Sequence, residues 1–557
     1  MKLSTINLIK MKKIYKYSAL IAAGVLVVAS CRKDYNKINT DPATYNQSVY
    51  DPNYLLTSAQ VGYSGSADLA YDTWRANLIY CSTMMQGFSS VVSYWAGDKY
   101  LNNPVYTAAY WGSPSGLPSG GDGAYPEQVR YIVDVVQSTT GKAQYANLHQ
   151  IARIMKALIF ERITDLYGDV PYFQAGLGYY SKDYFPVYDK QQAIYTDLLK
   201  EVSDATTQLN PSGDIATGDQ YYKGNIAEWK KFGNSLLLRI AMRLSKVDPA
   251  TAKTYVQMAI TNGTMTSNAD DAFILGDASG GRNTNNRNSQ VLLGDGGQEA
   301  YYTKWSQTFI NYLKTNNDPR LGKIAVTQLY LDPTKTTQNT AYVSDPTVQK
   351  GQPNGKDLSG IPGQTLGSDP SYTSFPDYSS PNPAMITRGG PTFVLTYGES
   401  ELLLADAAER FGLGGSASTH YNNGVTAAMT YLGEYSPTIA VAAGDAQTYL
   451  TAHPYVSGTT GLNMINTQYW ALTNTMLDFY ESWANWRRTE VTGTNGNGYP
   501  NLTYVVYPGN ATNGTIPRRF PYPTSEAGTN TANYNAASSS VPGGDLLTSR
   551  VWWDVKQ

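Results

Sequence analysis

Between residues 141 and 172 apolar side chains recur at Leu148, Ile151, Ala152, Met155, Leu158, Ile159, Ile163 and Leu166. That is helical spacing, with an apolar face broad enough to be buried on two sides. Gly168 suits the position just past a helix, because it takes φ > 0 without a Cβ clash. Pro171 forbids continuation and biases Val170 toward extended backbone. The pattern predicts a helix that stops near Tyr167 and turns sharply through Gly168-Asp169-Val170-Pro171-Tyr172.

The same period predicts further helices. Residues 51–88 carry Leu55, Ala59, Leu69, Trp74, Leu78, Cys81 and Met85 at helical positions. Asp189 with Gln192 reads as a capping box ahead of the stripe Ile194, Leu198, Val202, Ala205 and Leu209. A second stripe runs from Ile226 through Trp229, Leu236 and Ile240 to Leu244. Asp248-Pro249 restarts a helix with an N-cap and first-turn proline, and Asn262-Gly263 ends it. Residues 298–314 return to helix. Thr396 and Glu399 form another capping box ahead of Leu402, with a partner helix through Tyr421, Val425 and Met429. Leu472, Met476, Phe479 and Trp483 form the last long helix. Stretches 89–123, 264–297, 323–385 and 491–557 lack a sustained period and read as loop-rich inserts in one domain, 51–557. Neighbouring helices joined by modest turns favour antiparallel pairs and a mainly α fold.

Composition narrows the function. The net charge is -2 and 15% of residues are charged, with no basic block to neutralise a phosphate backbone. Nucleic acid is therefore excluded as the expected partner. Tyrosine outnumbers phenylalanine 46 to 12, and tyrosine pairs a flat apolar face with a hydroxyl, which suits wet surfaces and sugar faces. The three histidines, His149, His420 and His453, show no metal-ligand spacing, so neither a metal nor a cofactor is expected. Asp165 with Asp169, and Glu399 with Glu401, could be read as paired catalytic carboxylates. Their places at helix ends give each pair a structural explanation.

The N-terminus reads as an anchor. Lys12, Lys13 and Lys16 precede an apolar run over residues 19–29, well short of the roughly 20 residues a spanning helix needs. This is a signal-peptide pattern for residues 1–30. Met1 and Met11 both stay open as its start, since residues 1–10 add nothing to the pattern. Val28-Ala29-Ser30-Cys31 reads as a bacterial lipobox with Cys31 as the lipidated residue, and residues 31–50 as a flexible tether. Cys81, the other cysteine, reads as a buried free thiol.

The helix running into LYGDVPY resembles the SusD/RagB family of surface nutrient-binding lipoproteins. GNIAEWKKFGNSLLLRIAMRL (224–244), FVLTYGESELLLADAA (393–408), ESWANWRRTE (481–490) and IPRRFPYPTSE through LLTSRVWWD (516–554) agree with it in the family's order. The resemblance implies a SusD-like fold with tetratricopeptide-like helix pairs as scaffold. It implies a non-catalytic lipoprotein, anchored in the outer membrane and facing the cell exterior, that binds a nutrient, and it does not say which; glycan is the expected class, with a peptide as the other ligand left open. The partner it implies is a SusC-like TonB-dependent outer-membrane transporter. The alternative is a surface polysaccharide hydrolase of the same uptake system.

A sugar ring offers an apolar C–H face and a rim of hydroxyls. The loop after the first helical region crowds suitable groups together: Tyr94, Trp95, Tyr100, Asn102 and Trp111, with Trp305 from a later helix. These are the expected ligand-binding residues. Trp95 leads, because Gly97 allows a turn that presents the ring outward.

Overall fold

A computed structural model describes residues 50–65, 71–112, 123–281, 284–294, 298–334, 336–489, 499 and 502–556. Cys31 and the stretches expected to be signal peptide and tether, up to residue 49, lie outside the described residues. Pro52–Gln557 forms one compact unit, which is described here.

The chain is mainly helical. Its longer helices are α1 (Asn53–Tyr63), the π-type α2 (Asp72–Ser82), α3 (Arg130–Thr139), α4 (Ala146–Tyr167), α5 (Gln191–Gln208), α6 (Ile226–Arg243) and α7 (Pro249–Asn262). After an irregular stretch come α8 (Gln307–Thr315), α9 (Tyr397–Phe411), α10 (Ala417–Thr430), α11 (Ala443–Ala452), α12 (Thr459–Met476), α13 (Phe479–Arg488) and α14 (Thr531–Ser540). From α3 to α7 each helix packs on the one before it, and α9 packs on α10, α12 and α6. Strands are short and pair two by two, all antiparallel. They are β1 (Phe88–Ser90) with β3 (Thr303–Trp305), β2 (Ala272–Leu275) with β6 (Pro391–Leu395), and β4 (Ala325–Val326) with β5 (Ser380–Pro381).

The organising helix ends where its sequence says. Gly168 follows α4 with φ +84° and ψ -120°, a conformation open to glycine. Asp169 and Asp189 have exchanged the expected roles. Asp189 does not cap α5; its carboxylate accepts from the Tyr172 and Phe173 amides, both at 2.9 Å. Asp169 instead accepts from the Gln191 amide at 2.9 Å and from Lys190 Nζ at 2.7 Å. The turn thus caps the following helix.

Beneath this turn lies a buried set of charges. Arg239 Nη2 donates to Glu161 at 2.6 Å, and Arg239 Nη1 to Glu399 at 3.4 Å. Arg243 Nε donates to Asp165 at 3.1 Å, and its Nη2 to Glu481. Tyr469 Oη lies within hydrogen-bond distance of both Glu399 and Glu481, at 2.9 and 2.6 Å, and Trp553 Nε1 donates to Asp165 at 2.9 Å. All of these side chains are buried. Burial pushes the Glu399 carboxyl well above the usual carboxylate range against the pull of Arg239. Both carboxylate pairs weighed as catalytic contribute a member to this structural network.

Other departures from the expected elements have local causes. The last long helix is two, because Leu477 turns with φ +60°. Asn77 holds that break, donating to the Leu477 carbonyl at 2.8 Å and accepting from the Phe479 amide at 3.0 Å. Residues 298–314 are a short turn, Glu299–Tyr302, then β3 and α8, rather than one helix. The stretch 264–297, read as loop, contributes β2.

A Cβ at Gly168 would meet only Val551, at 3.6 Å, so the cost of a side chain there is backbone strain. Gly168→Val is expected to destabilise the protein by about 1–3 kcal/mol. A lowered melting temperature checks this, and an unchanged one contradicts it.

Candidate functional site

The expected platform residues do not form one surface. Trp95 is fully buried, and Gly97 does not turn its ring outward. A Cβ at Gly97 would lie 2.4 Å from the Ile79 carbonyl oxygen and 2.6 Å from Tyr80 Cα. That glycine lets the loop press against α2. Trp305 is buried in β3, donates through Nε1 to the Ile324 carbonyl at 3.0 Å and packs on Phe88. Tyr100 is buried and stacks on Tyr504 at 5.1 Å. Trp111 is buried among Tyr125, Tyr167, Tyr188 and Tyr522. Rings this large gain more by removing apolar area from water than by facing it, and here they pin the loop to the scaffold. Asn102 is exposed, and Tyr94 is half-buried.

Tyr94 leads to a different group of rings. Its ring meets Trp74 edge-on at 6.2 Å, and Trp74 stacks on Tyr71 at 5.9 Å. Arg75 lies over the Tyr71 ring at 4.2 Å and the Tyr106 ring at 5.1 Å. Tyr71, Trp74, Arg75, Tyr94 and Tyr106 are all half-buried. Tyr71 and Trp74 meet because they stand three apart on one helical face. The sequence reading placed Trp74 in the helix core. The spacing Tyr71-x-x-Trp74-Arg75 was the available signal for an aromatic face.

The polar chemistry of this surface is specific. Tyr94 Oη donates to Glu299, whose side chain is fully buried. Burial, and then this bond to a carboxylate, hold the Tyr94 phenol well above its ordinary value, so it stays a donor. The second carboxylate oxygen, Glu299 Oε2, is buried without a hydrogen-bond partner among the described residues, and so is Trp74 Nε1. Such atoms are costly unless something else satisfies them. Both atoms are out of solvent's reach, so the surface offers a ligand the faces of its rings rather than these atoms. A ligand with an apolar C–H face can cover those rings.

The 323–385 insert closes on the same region. Asp98, buried, accepts from Asn354 Nδ2 at 3.0 Å and from the Gly355 amide at 2.9 Å, which binds the loop to the insert. Tyr302, beside Glu299 in the short helical turn, packs edge-on to Phe375 at 5.0 Å. Among the described residues no group of three or more His, Cys, Asp or Glu could hold a metal ion.

With this geometry in view, known proteins are informative. A family described as SusD-like, starch-binding and associating with the outer membrane matches residues 48–523. The chain belongs to this SusD-like family. No curated protein matches it. Among solved structures, one named as a chitin-binding protein is 31% identical, with a TM-score of 0.75 over 91% of this chain and 100% of that one. A Bacteroidetes SusD-like protein is 25% identical, with a TM-score of 0.74 over the same shares. A SusD homologue from Bacteroides uniformis, 21% identical with a TM-score of 0.67 over 91% of this chain and 100% of that one, shares the fold. Members of the family are binding proteins rather than enzymes, they associate with the outer membrane, and membership supports glycan binding.

Lys304, in β3 just after the Glu299 turn, is fully buried and donates to Ser380 Oγ at 2.8 Å. Burial pushes its amine down from 10.5 to about 7. Below pH 7 it is charged both folded and unfolded, and the folded state bears the whole burial cost. Between pH 7 and 10.5 the unfolded chain binds a proton that the folded chain does not, so this residue makes stability rise with pH. Lys304→Met is expected to stabilise the protein at pH 6. That advantage should shrink by on the order of 2 kcal/mol by pH 9. Denaturant melts at the two pH values check this, and a gap independent of pH contradicts it.

Proposed function

We propose that this protein is a non-catalytic, cell-surface glycan-binding lipoprotein, and that the surface formed by Tyr71, Trp74, Tyr94 and Tyr106 around Glu299 receives the sugar. The observation that carries the reading is the cluster of half-buried rings, Tyr71 stacked on Trp74 and Trp74 edge-on to Tyr94. Such rings supply apolar contact to the C–H face of a sugar. Family membership supports the glycan class, and the 31% identical neighbour named as chitin-binding supports a polysaccharide. Of the residues expected from sequence, Tyr94 belongs to this proposal, and Asn102 is exposed in the same loop. Trp95, Tyr100, Trp111 and Trp305 act beneath it as packing.

Anchoring and delivery complete the proposal. Lipidation of Cys31 holds the protein to the outer membrane on the exterior side, with residues 32–50 as tether. An outer-membrane lipid anchor cannot itself move a solute across, so the bound glycan passes to a TonB-dependent transporter of the SusC type.

Isothermal titration with chitohexaose and maltohexaose tests the binding surface. Trp74→Ala is expected to weaken the sugar that binds by about tenfold or more, the loss of one stacked ring. Trp74→Phe, which keeps a ring but removes Nε1, is expected to lie between Trp74→Ala and wild type. Both should keep their melting temperature within a few degrees. Unchanged affinity in Trp74→Ala would overturn the assignment.

A further inference from the structure

A second concave site lies apart from the Tyr94 surface and shares none of its residues. It is a cavity of about 670 Å³ between the Gly168 turn and the C-terminal segment, within the size range of small-molecule sites. Trp552, Tyr522 and Val541 give it apolar walls, and Asp169, Lys190 and Thr548 give it a polar rim. The two neighbouring tryptophans divide their work. Trp553 is buried and donates to Asp165, whereas Trp552 is half-buried and lines the cavity.

The chemistry of the rim narrows the ligand. Each cation on its wall is already ion-paired: Lys190 with Asp169 at 2.7 Å, Arg519 with Asp545 at 3.2 Å and Arg550 with Asp554 at 2.9 Å. The charged groups are engaged with one another, which leaves the ring faces and neutral polar groups to meet a ligand. The Thr548 hydroxyl and Trp552 Nε1 have no hydrogen-bond partner among the described residues. Both can bond a ligand. Lys190 Nζ also bonds Ser540 Oγ at 3.0 Å, placing a hydroxyl and an ammonium side by side. An aromatic wall, paired charges and unengaged hydroxyl and N–H groups suit a neutral, polyhydroxylated ring with one apolar face.

We propose that this cavity is a second saccharide site, taking one or two neutral pyranose units of a glycan whose main contact is the Tyr94 surface. It rests on the glycan reading above. Two sites on one chain raise the effective concentration of a long polysaccharide at each, so retention exceeds what either site gives alone.

The test is amide hydrogen exchange of the full-length protein with chitohexaose and maltohexaose as separate probes. At least one is expected to slow exchange in residues 540–555. Trp552→Ala should raise the sugar concentration needed for this protection by about tenfold. Thr548→Trp fills the cavity without removing a core side chain and should abolish the protection, which covers the case of Trp552→Ala failing to fold. Protection over residues 71–106 with none over 540–555 would overturn the second site and leave the glycan function standing. Protection over 540–555 by a peptide mixture but by neither sugar would overturn it as well. No protection in either region from these sugars, or from a panel of other neutral glycans, would take the glycan reading down together with the second site.

Discussion

Two arginines on α6 face four carboxylates from three other helices, and the scaffold depends on that meeting. Glu161 and Asp165 come from α4, Glu399 from α9 and Glu481 from α13. Removing one partner from such a buried group strands the rest, at about 3–5 kcal/mol. Hydrophobic packing alone would tolerate several registers of these helices. The charges tolerate one, because each guanidinium has to find its carboxylates and each carboxylate its donors at once. The segments that resemble the family are the ones that supply this cluster and its surroundings. Arg487 Nη1 donates to the Asp165 carbonyl at 2.6 Å, Arg519 Nη2 to the Tyr167 carbonyl at 2.7 Å, and the Phe520 amide to the Leu166 carbonyl at 2.9 Å. Segments hundreds of residues apart thereby converge on the end of one helix.

This division explains why the best-specified motifs are not the binding surface. They fix the scaffold, and the scaffold leaves the loop after α2 to carry recognition. That loop is secured by its own buried rings and by Asp98, so Tyr94 and the adjoining face of α2 are held in place rather than free. Lys304 shows the same economy from below, with a buried amine held by one hydroxyl under the segment that presents Glu299. A site built on such supports meets its ligand with little to reorganise.

The sequence made the helices legible wherever a period of 3.6 met a clear stop. α4 with Gly168, α7 with Asp248 and Gly263, and α9 with Thr396 and Gly412 lie where the pattern put them. It misjudged the break at Leu477, because an asparagine some 400 positions away holds it. It misjudged Asp189 for a related reason, since Asp169 across the turn takes the Gln191 amide while Asp189 turns back to the Tyr172 and Phe173 amides. At the binding surface, composition could say that aromatics crowd a loop but not which rings the scaffold would bury. Trp95 and Trp305 are as flat as Trp74, yet they fill the interior. Trp74 looked like one more apolar helix position until Tyr71 and Tyr94 were seen on either side of it.

The central claim is that the half-buried rings around Tyr94 receive sugar. A crystal structure of the protein soaked with the oligosaccharide that binds tightest tests it directly. The account predicts a pyranose ring against Trp74 and Tyr94. Sugar bound elsewhere, with these rings bare, would contradict it.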